Sequence, residues 1–520
     1  MTANTNPLKD ANSFIMTLAL SVLGAIIGIQ LITTLGISVN TAIIGALIAI
    51  LISKIPLLIF KQYKSIHAQN IAQTAISSAT FGAANSLLVP IAIPYVMGMH
   101  DLIIPMLIGV GAAMLLDAYL LYRMFDTKIF PAANAWPAGL AVASAINANE
   151  KGGKGAYLLL VGIAAGIIGS IFKIPMAAFG TAFIGNIWAL SMFGVGLLLR
   201  GYSQSLLGVD LNKLYIPHGI MVGAGLVALL QVVLVIYAKK KPEDTHQGND
   251  GEIKISLGLG SVGYILIAAF LALAAGLWSE MSLWFLLAFV LYSAFAAFAH
   301  EIIVGIAAMH SGWFPAFAVA LITLIVGILI GFPLKALVVL CGFSVATGPA
   351  FADMGYDLKA GFILRGKGQD LAQELVGRRN QLIAAMLAFV TAFIVVALSY
   401  ESYFAQKLLP PLAAVYAKTI EAGAAPGIAT SLLTWAIPGA IIQALGGPKR
   451  QLGVLLATGL LILFPAAGWM VLSGIAIRLI CLRIWKEKSV QTSEILAGGF
   501  IAGDALYSFF NAMFSFNKGK

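Results

Sequence analysis

The sequence predicts an all-α polytopic membrane protein of about 14–16 transmembrane helices in two related halves. Three observations carry that expectation. Of 520 residues, 60% are hydrophobic and 10% charged, and the mean hydropathy is +0.96; soluble domains carry about 25% charged residues. Apolar runs of bilayer-crossing length follow one another with little between them. After the polar linker Lys239–Lys254 the hydropathy pattern restarts, at an offset of about 240 residues, as transporter repeats do. The halves expected are residues 1–245 and 246–520.

The net charge of +10 raises the possibility of nucleic-acid binding, which the distribution excludes. The basic residues are scattered in short inter-helix loops, as the positive-inside rule requires. Loops at Lys61 and Lys64, Lys239–Lys241 and Arg378–Arg379, with the tail at Lys518 and Lys520, are therefore expected on the cytoplasmic side, with both termini. Cys341 and Cys481 sit in apolar runs and read as small buried hydrophobes, implying neither a disulfide frame nor a metal site. The first apolar run, from Ser13, lacks a basic leader and a small-residue cleavage site and reads as a retained span.

In chain order, spans are expected at Ser13–Leu35 and Asn40–Phe60. The stretch His67–Pro94 follows, expected to kink or break at Pro90 and Pro94. Ile103–Tyr122 holds Asp117 in mid-span, and an irregular Pro-rich entry (Phe130–Trp136) precedes the next helix. Lys173 and Pro175 mark a break. In the second half, runs at Ile255–Leu277 and Leu283–Ala299 precede a stretch with polar breaks, His300–Pro315. Asp353–Arg379 reads as the longest charged loop, and the last span is Ile495–Phe516.

Asn70, Gln73, Thr74, Ser77 and, less well aligned, Asn85 fall near one line along a helix. Each amide left unsatisfied in hydrocarbon costs several kcal/mol, so the stripe should face protein or a wet cavity. Asp504, Tyr507, Asn511 and Ser515 share one face of the last span, and that face is the expected partner of the stripe. An intramembrane carboxylate suggests a functional site, which brings in Asp504 and Asp117; Glu301, beside His300, reads as lying near a span end. Asp353 and Asp357 are four apart, with Lys359 close by. His218 and His310 lie near helix boundaries.

Enzyme signatures are poor. His300-Glu301 begins like a zinc-protease motif, but Val304 stands at the second histidine position. Tyr356-Asp357 and Gly503-Asp504 superficially resemble the paired motifs of intramembrane aspartyl proteases, but Ile501 replaces the first glycine of the second motif.

Several ordered segments resemble the oligopeptide transporter (OPT) superfamily, which includes the yellow-stripe-like metal-chelate transporters. Asn70–Thr74 (NIAQT) is similar to its N-x-x-Q-T segment. Pro137–Ala143 with Gly152–Lys154 resembles its P-x-G-x-A-x-A segment and glycine-basic loop. Asp353–Gly361 resembles D-x-x-x-D-[LF]-K-T-G, with Ala360 for the threonine. Gly377–Gln381 and the final glycine-acid helix, Gly499–Ser515, complete the set. Departures are the stretch FPAANA before Trp136 and the region His300–Gly312, which does not align, so Glu301 inherits no role.

The resemblance implies a proton-coupled secondary transporter, with small peptides or peptide-like metal chelates as substrates. In such a transporter the chemistry of the residues themselves makes Asn70, Gln73, Thr74, Ser77, Asn85, Tyr507 and Asn511 the expected solute contacts. Asp504, then Glu301 and Asp117, carry the proton; Asp353, Asp357 and Lys359 gate or brace. No cofactor beyond the proton gradient, no metal and no nucleic acid is expected. The setting is a bacterial cytoplasmic membrane, and a homo-oligomer is compatible with the sequence. A metal-chelate importer of the same fold is the nearest alternative, and an intramembrane protease the distant one.

Overall fold

The computed structural model describes residues 6–9, 11–35, 42–151, 153–237, 251–312, 315–423, 427–485 and 488–516. Lys239–Lys241, Lys518 and Lys520 lie outside them. The described residues form helices and their connections. In order these are α1 (Ala11–Leu35), α2 (Ala42–Lys54), α3 (Ile66–Phe81), α4 (Val89–Val96), α5 (Ile103–Met124), α6 (Pro137–Lys151), α7 (Gly153–Ile171), α8 (Met176–Ile184), α9 (Ile187–Leu207) and α10 (Ile216–Tyr237). Then follow α11 (Gly251–Ala274), α12 (Leu283–Ser311), α13 (Ala316–Ile330), α14 (Leu334–Ala346), α15 (Pro349–Leu364), α16 (Leu371–Ala405), α17 (Pro411–Ala422), α18 (Ile428–Arg450), α19 (Leu452–Leu461), α20 (Pro465–Trp485) and α21 (Lys488–Phe516). Among the described residues nine helical stretches are long and apolar enough to cross a bilayer, and six shorter apolar helices accompany them. The chain is an integral, multi-pass membrane protein.

Burial sorts the helices. Within the stretch Ile66–Val96 every residue from 68 to 94 is buried, and most of Leu334–Leu364 is too. Gly251–Ala274, Ile428–Arg450 and Pro465–Ile484 keep most of their apolar surface outward, where Leu266, Leu445 and Ile480 are exposed. Such faces are stable against lipid, not water. The most polar of the long apolar stretches is thus the innermost, because only other helices can satisfy its amides and hydroxyls.

Two groups of helices pack side by side, each drawing on both halves of the chain. In one, α3 and α5 surround α15 together with α6, α12 and α16. In the other, α21 packs on α7 and α8, α9 on α19 and α20, and α10 on α18. Small residues make the second group tight. A Cβ on Gly162 would lie 2.9 Å from the Gly499 Cα, and one on Gly503 would lie 2.8 Å from the Gly166 Cα. Glycines four apart on two helices let the backbones touch, which drives helix association where no hydrophobic force acts.

Three sequence expectations change. The His67–Pro94 stretch does not break at its prolines. It runs continuously from α3 through a π-helical turn, Gly82–Leu88, into α4. The wider turn accommodates the missing Pro90 N–H and the bulk of its ring. His300 and Glu301 lie within the 29-residue α12, fully buried, not at a span end; the helix stops only at Gly312, whose φ of +72° makes the left-handed cap. Asp353–Arg379 is no charged loop: Asp353, Asp357 and Lys359 lie in the buried α15, and Glu374 and Arg378 in α16. The two aspartates are met by side chains of α3, Lys359 by backbone carbonyls, and Glu374 and Arg378 by each other and by Arg365 and Asp126, none of which a hydropathy scan registers.

Candidate functional site

The site is organised by a break. The membrane stretch Leu334–Leu364 is two helices, α14 and α15, separated at Thr347 and Gly348. Gly348 has φ +94°, a conformation side-chain-bearing residues disfavour. A helix interrupted in a bilayer exposes backbone groups that need partners, and here the Gly348 N–H donates to Asp117 Oδ2 at 2.7 Å. Asp117 thereby also places a carboxyl at the positive end of α15.

Asp117 and Glu301 meet through one residue of α11. The Tyr264 hydroxyl lies 2.5 Å from Asp117 Oδ1 and 2.9 Å from Glu301 Oε2. All three side chains are fully buried. No ion pair among the described residues involves either carboxyl, and Glu301 Oε1 has no hydrogen-bond partner there. A tyrosine hydroxyl has one proton to donate. Both contacts are hydrogen bonds only when a carboxyl supplies a second proton. The arrangement is therefore a triad in which one proton more than the tyrosine's own is shared, with two possible hydrogen-bond directions. His300, next to Glu301, is held by the Ala316 carbonyl at 2.8 Å and Thr347 Oγ1 at 3.2 Å, so it braces the break from the other side.

From Pro349 to Gly361 every residue of α15 is buried. One face meets the polar stripe of α3. Ser77 donates to Asp353 Oδ1 at 2.5 Å, Gln73 to Asp357 Oδ1 at 2.6 Å and Ser78 to Asp357 Oδ2 at 3.3 Å. Asn70 donates to Gln73 Oε1 at 3.2 Å. Gln381 of α16 donates to Thr74 at 3.2 Å and to the Asp357 carbonyl at 2.6 Å. The stripe thus faces α15 and α16 rather than the last helix. Another face of α15 receives the Pro-rich entry to α6. Lys359 donates to the carbonyls of Ala132 and Asn134, both at 2.7 Å. The Trp136 ring packs directly on Gly355, where a Cβ would collide with it.

Three polar atoms of α15 and the entry to α6 have no partner among the described residues: Asp353 Oδ2, the Tyr356 hydroxyl and Trp136 Nε1. Asp353 and Tyr356 are three apart on α15, and the Trp136 and Tyr356 rings meet edge to face at 6.0 Å. Each buried, unpaired group costs about 1–3 kcal/mol, so such groups in a native protein call for an explanation. Asn85, in the π turn, has a similarly unpaired Nδ2.

At the end of α15 an ion network closes the structure. Arg365 contacts both Glu374 oxygens, at 2.7 and 3.0 Å, and Gln381 at 2.8 Å. Arg378 contacts Glu374 at 2.6 Å and Asp126 at 3.3 Å, and lies over the Phe125 ring. Two cations alternate with two anions, so neither sign is left uncompensated.

The remaining sequence-predicted residues lie elsewhere. Asp504 accepts from Ser170 Oγ at 2.5 Å and from the Ala177 backbone N–H at 2.7 Å. It caps the start of α8, a position where Pro175 supplies no capping side chain. Tyr507 is half-buried and Asn511 exposed. Sequence reasoning missed Tyr264, Gln381, Trp136 and Glu374 as parts of the site. Tyr264 is the only one with no local signal, a lone tyrosine on an outer helix.

Many buried polar groups, enclosed by apolar helices and arranged around a discontinuous one, define a membrane transporter. The comparison with protein families makes that specific. The family model "OPT oligopeptide transporter protein" matches residues 11–237 and 234–515, and the chain belongs to that family. It is a transporter for peptide-type solutes, not an enzyme. Among the curated proteins no match is found.

Proposed function

We propose that the protein is a proton-coupled importer of small peptides in a bacterial cytoplasmic membrane, with α15 as its coupling element. The observation that carries this reading is that one helix serves both tasks. Its first N–H is held by Asp117 of the proton-sharing triad, and its body carries Asp353 and Tyr356, whose free polar atoms suit a solute.

A peptide has what those atoms lack. Its N–H groups or ammonium pair with Asp353 Oδ2, and its carbonyl or carboxylate accepts from Tyr356 and Trp136. The amides of α3 then position Asp353 and Asp357 rather than touch the solute themselves. Gain or loss of a proton between Asp117 and Glu301 alters the hold on Gly348. That changes the preferred setting of α15, and with it the solute site, which is what alternating access requires. The proton-carrying role therefore passes from Asp504 to Asp117 and Glu301, with Asp504 bracing α8. Asp353 moves from bracing to the solute, while Asp357 and Lys359 brace.

Uptake of radiolabelled trialanine into proteoliposomes tests the reading. An inward proton gradient should accelerate uptake, which should saturate. Uptake indifferent to the gradient, or accumulation of a ferric chelate but no peptide, would overturn it.

A further inference from the structure

A cavity that shares no residue with the α15 site opens where the α9–α10 connection meets α13, α17 and α18. Its volume is about 750 Å³, within the range of small-molecule sites. Arg200, Asp210, Lys213 and His218 line its polar side, and Ile325 and Ile428 its apolar side. The apolar wall is a hydrophobic cluster of its own, separate from the main core.

The polar side is biased toward donors. Among the described residues that line it Asp210 is the only carboxylate, and it is already engaged. It contacts Arg200 at 3.5 Å through a single guanidinium nitrogen, and it accepts the Asn212 backbone N–H at 2.9 Å. Lys213 is exposed, and no described side chain forms an ion pair with its ammonium. His218 is 5% exposed, lines the cavity and lies with its ring tilted against that of Tyr215, 5.6 Å between centres. Its Nδ1 is buried with no hydrogen-bond partner among the described residues. A buried imidazole nitrogen without a partner, beside two cations and opposite an apolar wall, points to a ligand with an anionic head and a short apolar body.

We propose that this cavity is a binding site for an amphipathic monoanion, its head between Arg200, Lys213 and His218 and its apolar part against Ile325 and Ile428. Such a ligand is either a free carboxylate solute or an anionic phospholipid. Binding is read without transport, so the site stands or falls independently of the coupling mechanism.

The test uses the full-length protein in nanodiscs. N-acetyl-leucine and its uncharged amide, N-acetyl-leucinamide, are titrated by calorimetry in phosphatidylcholine discs. Retention of phosphatidylglycerol through purification is measured in parallel. A free-solute site binds the acid about tenfold or more tighter than the amide, and Lys213→Gln weakens the acid by about tenfold. A lipid site instead retains phosphatidylglycerol in the wild type and loses it in Lys213→Gln, and added lipid competes with the acid. Lys213 is exposed, so this variant folds, and Arg200→Gln with an unchanged melting curve provides a second reading. If the acid binds no tighter than the amide and lipid retention is unchanged in both variants, the proposal is wrong.

Discussion

Replacing Tyr264 by Phe removes one oxygen from the centre of the proton-sharing triad and changes little else, since the ring stays packed near Phe298 and Phe343. Asp117 Oδ1 and Glu301 Oε2 both lose the hydroxyl that lies 2.5 and 2.9 Å away. Asp117 keeps the Gly348 N–H; Glu301 keeps no partner, because its other oxygen already has none. Leaving a buried polar group unpaired costs about 1–3 kcal/mol, so the two losses together destabilise the protein by about 2–6 kcal/mol. Asp117→Asn is the matching control. The new amide donates to the Tyr264 oxygen, the hydroxyl turns to Glu301, and the remaining carbonyl still accepts from Gly348. That variant should stay within about 1 kcal/mol of wild type and yet lose gradient-driven uptake. Thermal unfolding in detergent, followed by tryptophan fluorescence, measures the first quantity, and proteoliposome uptake the second. A Tyr264→Phe protein with wild-type melting and wild-type gradient dependence would refute the triad.

Other positions give sharper structural outcomes. Glu374→Ala leaves the buried Arg365 guanidinium with no carboxylate partner and Arg378 with Asp126 alone, and should cost about 3–5 kcal/mol, read as a lowered melting temperature. Gly503→Leu places a side chain against the Gly166 and Ile167 backbone and should destabilise by about 1–3 kcal/mol or more. Gly258→Leu, with open space where its Cβ would sit, should melt like the wild type. Lys359→Met removes two charge-assisted bonds to the Ala132 and Asn134 carbonyls, each worth about 1.5–3 kcal/mol. Hydrogen exchange should then accelerate across residues 130–136 while that in α3 is unaltered.

How much of this was legible in the sequence depended on how local each signal was. The stripe Asn70–Ser77 was readable because helical periodicity brings its members into line, and its enclosure by protein follows from the cost of amides in lipid. Its partner was not readable. Asp353 and Asp357 lie 276 and 284 residues from the groups they bond, and their charged neighbours disguised the helix as a loop. Glu301 looked like an interfacial residue because His300 beside it raises local polarity. Only the fold shows that Tyr264, on a different helix, makes the pair a shared site. Asp504 was recognised as a membrane carboxylate, but its capping of α8 depends on a backbone N–H more than 300 residues away, at Ala177. Spacing within one helix reveals a face; it does not reveal what the face meets.

In the proposed coupling, Asp117 and Glu301 carry the proton that drives uptake. The direct measurement is proton entry with the solute, followed by a pH-sensitive dye trapped in proteoliposomes of the wild type and of Glu301→Gln. In that variant the new amide donates to Tyr264 and keeps the network bonded, while the exchangeable carboxyl proton is gone. For the wild type the lumen should acidify on addition of trialanine. For Glu301→Gln no acidification is expected, with solute exchange across the membrane preserved. Acidification of the same extent in Glu301→Gln and in Asp117→Asn would contradict that coupling.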